Sequence, residues 1–211
     1  MPYHFYNQHA YELANQYQAL DFDIVHGVWR HWLTPYLKKR HAAFLDVGAG
    51  AGRDAQFFAL SGNEPRVVAV EPAASLRRMG EAYTRTLPIE WVDDALPRLS
   101  KLLPREERFD LILLSSVLTQ LEDTAIVQSL LVLKQLMCSD GLLVISIKHG
   151  QDEAELSARK TRILTPQALQ NLACKARLQC VFEALNEPDI MLRDGISWHY
   201  LLFKLAADAT P

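Results

Sequence analysis

The stretch Phe44–Ala59, FLDVGAGAGRDAQFFA, decides the fold. An apolar run carrying the acid Asp46 leads into Gly48, Gly50 and Gly52 at alternate positions, and the chain then re-enters an apolar pattern at helical spacing. Phe44, Leu45 and Val47 suit a buried parallel strand, and Ala55, Phe58 and Ala59 after Asp54 suit a helix lying against it. The stretch reads as strand, tight turn, helix. Its three glycines leave the turn without side chains, so a flat or polar ligand can approach the backbone and meet N–H groups at the helix start.

Spacing narrows the ligand. A dinucleotide fingerprint G-x-G-x-x-G begun at Gly48 needs glycine at position 53, where Arg53 stands; begun at Gly50 it fails at Ala55. A bulky arginine where the pyrophosphate would press on the helix argues against NAD or FAD. No G-x-x-x-x-G-K-[ST] phosphate loop is present. What remains, D-V-G-A-G-A-G, resembles the first motif of the class I S-adenosylmethionine-dependent methyltransferases, and three later stretches extend the resemblance over Phe44 to about Ile147.

The first is VVAVE, Val67–Glu71, a β-branched run that predicts a second strand and ends in an acid 19 residues beyond Gly52. A carboxylate there can accept hydrogen bonds from both hydroxyls of a ribose, the alternative being a solvated acid at a strand end. Pro72 then turns the chain. The second is IEWVDDALP, Ile89–Pro97. Resemblance implies an aspartate facing an adenine amino group and a backbone N–H meeting a ring nitrogen; alignment of D-A-L-P gives Asp94 and Ala95, with Asp93 the other choice. An ordinary turn opened by Asp explains the same letters. The third is FDLILLSSVLTQL, Phe109–Leu121, a strand with Ser115 and Ser116 at its carboxyl end, where open α/β sheets place ligands or where serines cap a helix. Many relatives carry His before the last leucine; Thr119 and Gln120 stand here, so no general base is read from that place.

Composition bounds the rest. With 211 residues, 49% hydrophobic, 22% charged and net charge −3, the chain describes one soluble globular domain, 1–211. A mildly acidic chain without a basic run is a poor nucleic-acid binder. Cys138, Cys174 and Cys180 are scattered and lack CxxC spacing, which fits a reducing cytoplasm and no metal site. No signal peptide or membrane-spanning run is evident.

Nine of the nineteen aromatics and five of the seven histidines fall within residues 1–41, so an aromatic assembly is expected there. Tyr11–Leu20 and Phe22–Leu37 read as helices, the second capped by Asp21. Resemblance implies that residues 1–40 form a helical lid over the core 41–211, with Tyr6 and Tyr17 either near the ligands or simply packing the helices. Helices are expected over Ser75–Arg85 and Thr124–Cys138, and a fifth strand over Leu142–Ile147. His149 leaves that strand beside the expected pocket, either as a base for the incoming nucleophile or as a loop histidine. A polar stretch to about Arg162 reads as a gate or a long loop. Thr165-Pro166 starts a last helix, and Leu178–Leu185 and Trp198–Leu205 are two final strands. Arg193, in the connection between them, either holds an anionic substrate group or is a loop charge.

The resemblance implies an α/β, Rossmann-like sheet of seven strands, order 3-2-1-4-5-7-6 with strand 7 antiparallel and helices on both faces. It implies S-adenosylmethionine as methyl donor, S-adenosylhomocysteine as product and a small-molecule acceptor methylated at O, N or S. Protein methylation or a non-catalytic donor-binding scaffold are the alternatives. The implied donor site is Tyr17, Asp46, Gly48, Ala49, Gly50, Arg53, Glu71, Pro72, Asp94, Ala95 and Ser115. His149 is the catalytic candidate, Tyr6 and Arg193 the substrate-binding ones, and the expected state is a monomer or homodimer.

Overall fold

Strands rich in Val, Leu and Ile with no polar alternation bury both faces, and here they form the centre of one seven-stranded sheet. The computed structural model describes residues 3–150 and 153–207. Ala43–Val47 (β1), Arg66–Val70 (β2), Ile89–Val92 (β3), Phe109–Ser115 (β4) and Met137–His149 (β5) run parallel, in the spatial order β3-β2-β1-β4-β5. Ser197–Leu205 (β7) lies antiparallel against β5, and Leu178–Pro188 (β6) closes that edge antiparallel to β7. The order is therefore 3-2-1-4-5-7-6 with strand 7 antiparallel, as the resemblance implies.

The strand side chains alternate between two cores. Leu45, Ile112, Leu114 and Ile145 face Asp123–Leu136 (α7) and Pro166–Lys175 (α9), through Ile126, Leu130, Leu133, Leu169 and Leu172. Phe44, Leu111, Leu113 and Val144 face Arg53–Ser61 (α5) and the segment 22–38, through Phe58, Phe22, Trp29 and Leu33. Ala74–Tyr83 (α6) crosses between β2 and β3, and Gly80 admits the Trp91 ring: a Cβ there would stand 2.2 Å from it.

At the amino-terminal end, His4–Gln8 (α1) and Ala10–Gln18 (α2) pack on α6, where Leu13 and Ala14 meet Leu76, Ala73 and Ala51. The second helix expected from sequence is broken. Phe22–His26 (α3), with Asp21 accepting from the Asp23 N–H at 2.7 Å, gives way to a 3-10 turn, Gly27–Trp29, before Arg30–Lys38 (α4). Trp29, the last residue of that turn, is wholly buried in the core.

Two further expectations change. The polar stretch after β5 contains a helix, Glu153–Arg159 (α8); Gln151 and Asp152 lie outside the described residues. No apolar period marks it because it is held by charge: Lys148 reaches Glu155 at 2.5 Å, and the Arg159 guanidinium lies 5.1 Å from the Phe5 ring centre. β5 also begins earlier than read, at Met137, with a register shift opposite Phe109 and Leu111 that absorbs Ser139-Asp140-Gly141.

Candidate functional site

Parallel strands present their carboxyl ends at one edge of the sheet, and a cavity of about 210 Å³ opens there, above β1, β2, β4, β5 and the start of β7. Its floor is the glycine turn. Gly48 has φ +74°, and a Cβ on it would stand 2.5 Å from Val117 Cγ2, so only glycine fits beneath Val117. Tyr17 of α2 lies across Gly50, its ring carbon 3.6 Å from where a Cβ would project. The turn differs from expectation in one respect. The N–H groups of Gly48 and Ala49 both donate to Val70 O, at 2.8 and 3.0 Å, and that of Gly50 donates to Glu71 Oε2 at 2.9 Å. The glycines therefore supply space rather than donors.

Glu71 lines the cavity at the end of β2 and is buried. Its second oxygen accepts from the Ala73 N–H at 2.7 Å. Burial pushes its carboxyl above the ordinary value, and the two N–H bonds and Arg77 act against that rise. Pro72 lies beside it. Asp94 and Ala95 also line the cavity, but the Asp94 carboxylate is committed to its own chain. It accepts from the N–H groups of Ala95, Ser100, Lys101 and Leu102 at 2.7–3.1 Å, which ties down the turn after β3. Asp93 points elsewhere, paired with Arg77 at 3.0 Å.

Arg53 lines the cavity with its guanidinium forked onto Asp54, Nε to Oδ1 2.6 Å and Nη2 to Oδ2 2.8 Å. Behind it sits His26, wholly buried, with Nδ1 accepting from the Trp29 indole N–H at 3.3 Å. That fixes the ring proton on Nε2, which faces Asp54 Oδ2 at 3.3 Å. Burial pushes the His26 imidazole below its ordinary value, although Asp54 works the other way. Asp46 does not line the cavity; it lies beneath the turn, with Oδ2 buried and without a partner among the described residues. Burial and the nearby Asp54 push its carboxyl well above the usual range, and Asp46 stands as a support under the floor.

At the other end the cavity wall takes Lys148 and not His149. Successive residues of a strand face opposite sides. Lys148 pairs with Trp198 across β5 and β7 and shares the pocket side with Ser146, whereas His149 pairs with Ser197 and turns its ring to His199, 5.5 Å between centroids. Ser115 lines the wall near Ser146, Oγ to Oγ 3.4 Å. Tyr6 is in the wall too, its hydroxyl oxygen accepting from Gln120 Nε2 at 3.2 Å; burial raises its pKa to about 12, so it stays protonated. Arg193 lines the wall while forked onto Asp189, Nε to Oδ2 and Nη2 to Oδ1 both 2.8 Å. Sequence reasoning missed Lys148, Arg159, Asp189, Gln120 and Met191, all of them in the lining. Of these only Lys148 carried a signal, as the neighbour of His149 at a strand end.

Residues 45–145 match the family model described as a methyltransferase domain. That stretch, a little under half of the chain, is similar to methyltransferase domains. Solved structures agree in fold. The domain is similar to an S-adenosylmethionine-dependent methyltransferase from Clostridium acetobutylicum at TM-score 0.68 and 10% identity, covering 89% of this chain and 93% of that one. One from Archaeoglobus fulgidus has TM-score 0.66 and 15% identity, with 92% and 99% covered. A TehB-like S-adenosylmethionine-dependent methyltransferase from Corynebacterium glutamicum has 0.61 and 19%, with 82% and 85% covered. No curated protein matches this chain in sequence. S-adenosylmethionine is the cofactor those structures are named for, and the cavity here fits it: a floor that tolerates no side chain at Gly48, an aromatic roof at Tyr17 and a buried carboxylate at Glu71.

Proposed function

We propose that this methyltransferase moves a methyl group from S-adenosylmethionine to an oxygen, nitrogen or sulfur atom of a small-molecule acceptor. The observation that carries the small-molecule reading is the roof of the cavity. Gln16 of α2 donates to the sulfur of Met191, in the connection between β6 and β7, at 3.4 Å, and both residues line the space beneath. A protein acceptor needs an open groove, whereas here two elements meet over the cavity. Against a non-catalytic scaffold stands the open cavity: of the three tryptophans that could block it, Trp29 and Trp32 are absent from the lining, and Trp198, which is in the wall, leaves about 210 Å³.

The donor, when bound, supplies an electrophilic methyl on a sulfonium that already carries a good leaving group. The residues of this chain bind, orient and enclose. Glu71 keeps lone pairs beyond its two backbone bonds for ribose hydroxyls. Pro72, Ala95 and Leu96 give an apolar slot for the adenine, with Asp94 at its edge. Gly48, Ala49 and Gly50 let the methionine part lie on the floor, and Arg53 or the Tyr17 hydroxyl takes its carboxylate. Ser115 stands between donor and acceptor ends. Holding nucleophile, methyl and sulfur in line is worth up to ~7–11 kcal/mol in favourable intramolecular models. A base is needed only for a nucleophile that arrives protonated.

One domain, 1–211, acting from the cytoplasm accounts for the rest. The three cysteines are unpaired, which suits a reducing compartment, and no helix among the described residues is long and apolar enough to cross a membrane. The first test is calorimetric titration with S-adenosylhomocysteine and, separately, with NADH. Micromolar binding of the first alone is expected, followed by methyl transfer to a member of a library of small amines, thiols and phenols. Failure to bind S-adenosylhomocysteine overturns the reading.

A further inference from the structure

At the β2–β3 end of the cavity stand the carboxylates Glu71 and Asp94, the Arg53–Asp54 pair lines the glycine turn, and at the β5–β7 end three cations, Lys148, Arg159 and Arg193, stand with the carboxylate of Asp189. Among the described residues two carboxylates serve those three. Glu155 Oε1 meets both Lys148 Nζ at 2.5 Å and Arg159 Nε at 3.1 Å, and Asp189 is wholly occupied by Arg193 and the Trp198 indole N–H, the latter at 2.9 Å. The side chain of Lys148 is only 7% exposed, Arg159 21% and Arg193 35%, so water screens this excess of positive charge poorly. Burial holds the Lys148 ammonium below its ordinary value; Glu155 works against that, while Arg193 and Arg159 add to it by repulsion.

The donor cannot relieve the excess. At neutral pH S-adenosylmethionine carries one carboxylate against an ammonium and a sulfonium, so it adds net positive charge. On the reading above its ribose lies at the β2 tip and its methionine part over the β1 turn, where Arg159 has a hydrogen bond with Tyr17 while Lys148 and Arg193 stand on the β5–β7 side. What remains for the β5–β7 end is the acceptor. Tyr6 adds a fourth group. Its oxygen accepts from Gln120, and its own proton stays in place at neutral pH as a donor.

We propose that the methyl acceptor is a small carboxylate whose charged end is held among Lys148, Arg159 and Arg193, with the Tyr6 hydroxyl as a further donor. The inference rests on the methyl-transfer reading above and names its substrate class. The nucleophilic atom then points from this anchor back towards Ser115 and the glycine turn, between the two ends of the cavity.

The test uses protein saturated with S-adenosylhomocysteine and titrated at low salt with three small carboxylates, 4-hydroxybenzoate, 3-mercaptopropionate and 4-aminobutyrate, each against its carboxamide. At least one acid should bind about tenfold or more tightly than its amide, as loss of a charge-assisted bond predicts. Lys148→Met should erase the difference and leave S-adenosylhomocysteine affinity within about twofold, since no donor contact is removed. Arg193→Gln gives the same readout should Lys148→Met not fold. No preference for any acid, absence of binding included, overturns the inference, as does a preference that survives both variants. A loss of S-adenosylhomocysteine affinity in Lys148→Met also overturns it, by assigning the cations to the donor's own carboxylate. Failure of the unaltered protein to bind S-adenosylhomocysteine is a separate result, and it removes the methyl-transfer reading itself.

Discussion

Glu71 has both carboxylate oxygens engaged by backbone N–H groups before any ligand arrives, one from the glycine turn and one from the start of α6. It is thus a strut between floor and wall as well as a ribose acceptor. Glu71→Gln keeps the shape but turns an NH₂ towards one of those two donors. Loss of about 1.5–3 kcal/mol of donor binding is expected, roughly ten- to a hundredfold in Kd for S-adenosylhomocysteine by calorimetry. Undiminished affinity would remove Glu71 from the ribose. Spacing alone pointed to this residue, because an acid at the tip of the second strand has one place to go. Asp94 was legible in position but not in partner. Its four N–H donors come from residues up to eight further on, and nothing in the letters says that the chain curls back. The choice between His149 and Lys148 was not legible either. Both stand at the end of β5, and only its register against β7, a strand some fifty residues away, decides which side chain turns inward.

Elements meet the site through a few polar joints. α3 is joined to the start of α5 by His26, neutral and wholly buried between the Trp29 indole and Asp54. Its imidazole is held below its ordinary value of 6.5, chiefly by burial. As pH falls through 6.5 the unfolded chain takes up a proton that the folded chain resists, so this contribution is intact above that pH and is lost below it. The slope is at most about 1.4 kcal/mol per pH unit for one such group. Urea unfolding at pH 7.5 and 5.5 should show the loss, and His26→Gln should reduce it; equal pH dependence in both proteins would mean that His26 protonates freely in the folded state. Short elements are where pattern reading stopped. α8 has no apolar stripe, and its reasons for being helical lie on β5 and α1, in Lys148 and Phe5. α9, with Thr165 accepting from the Ala168 N–H at 3.2 Å and Pro166 at its first turn, carried its own signal and was read correctly.

Over the whole molecule, the strand–helix alternation made a right-handed parallel sheet legible, since continuous apolar runs separated by helical periods leave it as the economical solution, while the strand order and the antiparallel edge came from the family resemblance. The lid was harder, because an aromatic-rich amino-terminal stretch reads alike whether it covers a pocket or fills a core. The two halves of that stretch do different things. Tyr6 and Tyr17, on α1 and α2, line the cavity, while Phe22, Trp29, Leu33 and Tyr36 join Phe44, Phe58 and Leu111 in the core beneath the sheet. If residues 22–38 belong to the core, Trp29→Ala should cost ~3–5 kcal/mol, the range for emptying a buried aromatic site. That is a large part of the ~5–15 kcal/mol that holds a typical domain together. Urea unfolding followed by far-ultraviolet circular dichroism and by tryptophan fluorescence should shift to lower midpoint with the two probes still coincident and the slope unchanged, since one cooperative unit is losing stability. A separable lid would behave otherwise: the variant would lose less than ~1 kcal/mol globally, and fluorescence would report an early transition of its own that circular dichroism of the sheet does not share.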